Sequence, residues 1–317
     1  MEAALGLGLA AAVAWGLASY LSALAARQFG GWTTNLGALF ATVLVLLPIG
    51  LVALADRPAE PAPIDIAIVA IVGIGALLLD VALFQLLTVA PVAIIFPIIS
   101  ASGAVVAALA VFILGESLNP VQLAGVIAIT AGVVVIAYRR PGPDPGAGSM
   151  ADESLPGGMV FVQGPQRSAA PIPRQAAAKV VLAAVLITLL SGILLFIIAL
   201  YARRLGWYQP LIIDRVAQTG FMLALLAVGY PPRRDLRGHG RAWWLVLAII
   251  GVLNAAAVGA YWLGIATSSA AITATVASTF AAIPVLLGIL LLRERPQRHQ
   301  VVGIIAALGG IVALGSG

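Results

Sequence analysis

Apolar positions run along this chain in long unbroken stretches. Neither the alternation of a half-buried strand nor the one-sided stripe of a surface helix appears. Stretches of about 20 mostly apolar residues, enough for a helix to cross a hydrocarbon core of about 30 Å, fall at roughly 3–25, 33–55, 64–88, 90–114, 119–138, 178–202, 208–229, 242–264, 269–292 and 299–316. The pattern predicts ten membrane-spanning segments. Backbone groups in lipid must bond within their own segment, so these stretches read as helices. A barrel would need shorter strands of alternating polarity. The first stretch opens Met1-Glu2-Ala3-Ala4 without a basic region. It is long for a secretory leader and is expected to stay as a span.

One segment breaks the pattern. Residues 139–177 begin Arg139-Arg140-Pro141-Gly142-Pro143 and are rich in Pro, Gly, Ser and Ala. That composition reads as a flexible linker without a core. Its apolar piece Met159-Val160-Phe161-Val162 is too short to span. The linker divides the spans five and five, giving units at 1–138 and 178–317.

The two units repeat one another. A shift of 178 residues places Ala93 on Ala271, Ser100 on Ser278, Glu116 on Glu294, Gln122 on Gln300, Gly125 on Gly303 and Gly132 on Gly310. Gly73 likewise falls on Gly251. An odd number of spans per copy means that the second copy enters the membrane from the opposite side. The expected fold is therefore an all-α membrane protein whose ten transmembrane helices form two inverted five-helix repeats, an architecture of secondary transporters.

Composition narrows the function. The chain of 317 residues is 62% hydrophobic and 9% charged, against about 25% charged in an ordinary soluble domain. Too few charges remain to cover a soluble surface, which excludes a soluble enzyme, a nucleic-acid binder and a disordered protein. The net charge of +5 comes from short arginine clusters between spans, a loop pattern and not a nucleic-acid face. The absence of cysteine removes disulfide and thiolate chemistry.

The stretches Leu114-Gly115-Glu116-Ser117 with Gln122 and Gly125, and Leu292-Arg293-Glu294-Arg295 with Gln300 and Gly303, carry a family resemblance. They resemble the Gly-Glu-Arg loop and following glycines of the drug/metabolite transporter superfamily, in its EamA-type ten-helix branch. The first copy departs from that pattern at Ser117 and the second at Arg293. The resemblance implies a secondary transporter, most often an exporter, of small metabolites or drugs. It implies a central cavity lined by the first four helices of each half, and a multi-pass protein of the bacterial inner (plasma) membrane.

An ionisable side chain at membrane depth is a functional candidate, because it is costly there. Asp80 lies past the middle of the third span, on a face with Gly73, Ala76 and Phe84. It reads as a substrate-amine or proton site, or as an acid bonded to a neighbouring helix. The repeat sets it opposite Val258, between Asn254 and Tyr261 on the eighth span. Tyr261 and Trp262 suit either a cavity or the interfacial aromatic belt. In the seventh span Asp214 shares a face with Gln218 and Arg215 with Thr219. Arg215 reads as an anion partner, as an ion-pair partner of Asp80 or Asp214, or as a snorkelling cation. The counterpart in the second span is expected at Thr34 and Asn35. Ser100 and Ser278, in spans four and nine, suit either the cavity or helix packing. Trp15 and Ser19 share a face of the first span and suit a cavity floor. The expected cavity set is thus Asp80, Asn254, Tyr261, Ser278, Arg215, Trp15, Ser100 and Gln218.

Glu116 and Glu294 read as surface-loop acids that cap the following helix or bind a loop arginine. No cofactor or metal is expected: His239 and His299 lie in basic loops, and the glycine pairs lack a phosphate-loop context. The expected partners are a small-molecule substrate, a proton as candidate coupling ion and the lipid bilayer, with the chain a monomer or weak homodimer. An intramembrane enzyme acting on lipid-linked substrates would need an acid, His or Ser–Lys cluster near the surface. A channel would need a charged ring or carbonyl filter. Neither pattern stands out. With both termini outside, 13 basic residues lie inside and three outside, namely Arg57, Arg203 and Arg204. That bias puts the termini outside, whereas the resemblance implies cytoplasmic termini.

Overall fold

The computed structural model describes residues 2–29, 31–53, 60–89, 98–99, 101–137, 154–155, 159–160, 174–229, 241–283, 287 and 298–316. The first half contributes α1 (Glu2–Phe29), α2 (Gly31–Ala53), α3 (Pro63–Val89), α4 (Ser102–Leu114) and α5 (Pro120–Ala137). The second contributes α6 (Arg174–Leu205), α7 (Tyr208–Ala227), α8 (Arg241–Thr267), α9 (Ala270–Ala277) and α10 (Arg298–Ser316). Seven of these are long and apolar enough by themselves to cross a membrane. Their outward faces carry large apolar side chains such as Phe40, Ile71, Phe112 and Ile305, the surface lipid requires. Between the halves, β1 (Ser154–Leu155) and β2 (Met159–Val160) pair antiparallel, a short hairpin within the expected linker.

The halves are related by a two-fold arrangement visible in the packing. α1 packs on α8 as α6 packs on α3, α2 on α8 as α7 on α3, and α1 on α9 as α6 on α4. α2 with α7, α4 with α9 and α5 with α10 pack across the axis itself. The glycines show the sense of the relation. A Cβ on Gly125 would lie 2.8 Å from the Gly310 carbonyl oxygen, and one on Gly132 would lie 2.7 Å from that of Gly303. The two contacts are exchanged by the 178-residue shift. Residue numbers rise along α5 as they fall along α10, so the paired helices run antiparallel and the repeats are inverted. Without Cβ atoms the two backbones approach closely, and dispersion then replaces the hydrophobic force that lipid does not supply.

Local signals set the helix ends. Asn119 and Gln122 exchange side-chain-to-backbone bonds at 2.9 and 3.0 Å, a reciprocal N-cap around Pro120 in the first helical position. α4 ends through Gly115 at φ 68°, a left-handed turn that favours glycine. The expected continuous ninth span instead tightens after Ala277 into a 3₁₀ turn, Ser278–Ala281. There Ser278 and Thr279 donate to the carbonyls of Thr275 and Val276, three residues back, at 2.6 and 2.7 Å. Downstream, Pro284 has no N–H with which to continue the ladder.

Candidate substrate cavity

α3 and α7 bring together the polar residues of the spans. Gly73 lets α7 approach: a Cβ there would collide with the Asp214 carboxylate and lie 3.2 Å from its Cα. Asp214 is 2% exposed, and its Oδ1 accepts from Gln218 Nε2 at 2.8 Å. Its Oδ2 lies 3.3 Å from Arg215 Nε. Arg215 Nη1 donates to Gln218 Oε1 at 3.2 Å. The three side chains thus form a closed ring on one helix. Arg215 Nε, itself buried, makes the ion-pair contact without a hydrogen bond, so the half-buried guanidinium keeps donor capacity.

Asp80 completes the group from the other half. It lies seven residues from Gly73, nearly in line on the helix, and within electrostatic reach of Arg215 and Asp214. The lipid-facing ridge of α3, including Ile71 and Leu78, lies on the opposite side. Yet Asp80 is exposed, while Val69, Val72, Gly73 and Leu77 on or beside its face are buried. Asp80 is thus an exposed acid on the inward face of its span. Two carboxylates around one guanidinium leave this group one negative charge when all three are ionised.

A second cluster forms where α1, α8 and the 3₁₀ turn meet. The Trp15 ring centroid lies 5.2 Å from that of Tyr261 and 6.3 Å from that of Phe280. Tyr261 meets Trp262 edge-on at 4.9 Å. Tyr261 and Trp262 are both buried, so neither serves the interfacial belt. Trp262 Nε1 has no hydrogen-bond partner. Asn254 is half-buried on the Tyr261 side of α8, opposite the exposed Val252.

Other sequence expectations fall elsewhere. Ser278 is buried against Gly103, at the α4–α9 crossing, with its hydroxyl turned to its own helix. Ser100 and Glu294 lie outside the described residues. The second-span residues that meet Gly251, the repeat mate of Gly73, are Ala41 and Thr42, not Thr34 or Asn35. Thr42 and Ala41 meet Gly251 as Asp214 meets Gly73, and Thr42 Oγ1 donates to Gly251 O at 3.1 Å.

Glu116 takes one of its two expected roles, the contact with a loop arginine, and takes it in the other half. It does not cap α5, which Asn119 and Gln122 cap. Its Oε1 accepts from the Ala270 N–H at 2.9 Å, its Oε2 from the Ala271 N–H at 3.0 Å and the Ser269 hydroxyl at 2.7 Å. Arg203 forms an ion pair with it, and Arg204 forms one with Asp65. Arg203, Ser269 and Asp65 were not candidates from sequence. The parity of ten spans, which puts the 2–3, 4–5, 6–7 and 8–9 loops on one membrane face, is the signal that would have grouped them.

Inverted five-helix repeats around a polar interior define a multi-pass integral membrane protein built for transport. The chain belongs to the EamA-like transporter family, whose model matches residues 3–138 and 178–316. Members of that family are transporters of the drug/metabolite class, not enzymes. No curated protein matches the chain in sequence. A solved structure described only as "Crystal structure of protein" is 16% identical, with a TM-score of 0.72 over 99% of this chain and 96% of that one. That is a likeness of fold.

Proposed function

We propose that this protein exports a small amphipathic cation, a metabolite or drug, by alternating access of its two halves. Entry of protons at Asp80 drives the exchange. The observation that carries the reading is the exposed Asp80 on an inward face beside the Asp214–Arg215–Gln218 ring. Arg215 is already paired within its own helix, so the surplus carboxylate is the group left to bind either a proton or an ammonium group. A single acid that holds one or the other, never both, makes the two fluxes exchange. The aromatic faces of Trp15, Tyr261 and Phe280 supply the apolar and cation–π surface an amphipathic cation needs. Asn254 adds a neutral polar group on the Tyr261 side of α8.

The test is flux in proteoliposomes under an imposed pH gradient, against amino acids, purines and aromatic cations, comparing wild type with Asp80→Asn. The expected result is gradient-driven flux of a cation that disappears in the variant, with folding retained. Unchanged flux in Asp80→Asn would reject coupling at this acid and turn the reading to a passive facilitator.

A further inference from the structure

The cavity leaves unused a set of charges at one membrane face. Arg203 and Arg204 end α6, and each reaches into the first half. Arg203 pairs with Glu116 of the α4–α5 loop, while its Nε and Nη2 also donate to the carbonyls of Ile265 and Ser268 at 3.3 and 3.1 Å. Glu116 is at the same time seated on the first N–H groups of α9. Arg204 pairs with Asp65, whose Oδ2 accepts the Ala62 N–H at 3.0 Å. The span count puts all of these on the face that bears both chain termini. We infer that Arg203–Glu116, with Arg204–Asp65 beside it, is the latch that holds this face closed and that it must break once in each transport cycle. The cycle itself rests on the transport reading above.

Three observations carry the latch. It joins the halves, so relative motion that opens this face has to separate its partners. The inward side chains next to it are packed shut: Tyr208, Leu211, Asp214, Tyr261 and Ile265 are all buried. Asp80, further along α3 and away from that face, is exposed. Finally, Glu116 is not needed to begin α9, because Ser269 already caps it by accepting the Ile272 N–H at 3.2 Å. A removable partner on a helix that keeps its own cap is what a reversible contact needs. The Arg203 and Glu116 side chains are 28% and 11% exposed, so water is at hand to solvate them when they part.

The chain has no cysteine, which makes it a clean background for spin labels. Ser117 and Thr267 are exposed, flank the latch and belong to opposite halves. Nitroxides placed there in the full chain, reconstituted in liposomes, report separation of the halves without any substrate. The expected result is one short distance in the wild-type background. In Glu116→Gln with Arg203→Gln, a longer-distance population rises at least about tenfold, the response to losing about 1.4 kcal/mol of closing free energy. Arg203→Gln alone, which leaves Glu116 seated on α9, gives a smaller shift in the same direction if the double variant does not fold. An unchanged distance distribution in a folded variant overturns the latch. Flux in proteoliposomes is scored separately: no flux for any solute with a distance change removes the transport reading and keeps the latch, whereas flux without a distance change does the reverse.

Discussion

Gly73→Ala tests whether the α3–α7 contact holds the ionic group in place. The substitution touches no charge. It adds one methyl group where the Asp214 carboxylate now sits, 3.2 Å from the Asp214 Cα. The carboxylate is not free to swing aside, because Gln218 and Arg215 hold its two oxygens. If it moves, a hydrogen bond to a charged group is lost, at a cost of about 1.5–3 kcal/mol. If the helices part instead, overpacking costs about 1–3 kcal/mol. Alanine returns up to about 1 kcal/mol through helix propensity, leaving a net loss of up to about 2 kcal/mol. Gly220→Ala is the control on α7 itself: nothing lies within 4 Å of its added Cβ, so only the propensity gain applies. Because the propensity gain is common to both, the two variants should differ by about 1–3 kcal/mol, which on the scaling of soluble proteins separates their thermal midpoints by about 2 °C or more. The midpoints are measured in one detergent, and flux is measured beside them. Equal midpoints would refute the contact, and a lower midpoint with full flux would refute its role in positioning the acids.

Two further predictions concern the scaffold and the latch. Gly132→Val puts a branched side chain where even a Cβ would meet the Gly303 carbonyl and the Ala307 N–H nitrogen, each at 2.7 Å. It should cost about 1–3 kcal/mol of stability, with flux per folded molecule unchanged, since α5 and α10 lie outside the helices expected to line the cavity; thermal midpoint and flux check the two parts. Burial works against the Glu116 carboxylate, but the Ser269 hydroxyl, the Ala271 and Ala270 N–H groups and Arg203 outweigh it and hold its pKa below the ordinary value of 4.5. A lowered acid contributes its stabilisation above the unfolded pKa and loses it as pH falls through the folded one. In the Asp80→Asn background, where the proposed proton site is removed, the spin-label distance at the latch should therefore stay constant from about pH 8 to about pH 5 and change only below the ordinary glutamate range. A transition near neutral pH would contradict that.

Much of the fold was legible because lipid simplifies the grammar. A span of fixed length must be apolar throughout, so helix positions emerged from run length alone, and α1, α3, α7, α8 and α10 begin and end within a few residues of expectation. The repeat was legible because Glu, Gln and Gly recur in register in otherwise uniform apolar text. Gln122 proved to be half of a helix cap, a role its spacing from Asn119 carries. The roles of Trp262 and Glu116 were not legible. An aromatic residue near a span end looks the same whether it faces a headgroup or the bundle. A loop acid looks the same whether it caps the next helix or one 150 residues away. The second span was not legible either: Thr34 and Asn35 are polar residues of its opening turns, but Ala41 and Thr42 are the ones that meet Gly251 as Asp214 meets Gly73.

The two-fold pattern and its breaks do different work. Where the halves agree, as at Gly125 with Gly303, Gly132 with Gly310 and Gly73 with Gly251, the residues let backbones approach, and the same small side chain serves both copies. Where they differ, charge enters. Val258 stands where the first half has Asp80, and Gly251 is met by the Ala41 methyl and the Thr42 hydroxyl where Gly73 is met by the Asp214 carboxylate. Perfect symmetry would set four acids and two arginines around the axis, and each desolvated charge would add its own cost. Confining the ions to the α3–α7 crossing limits that cost to one group of three. It also makes the two halves inequivalent at the proposed solute site while leaving their packing equivalent. On the proposed transport reading, the two conformations would exchange with similar stability around a site that is itself one-sided.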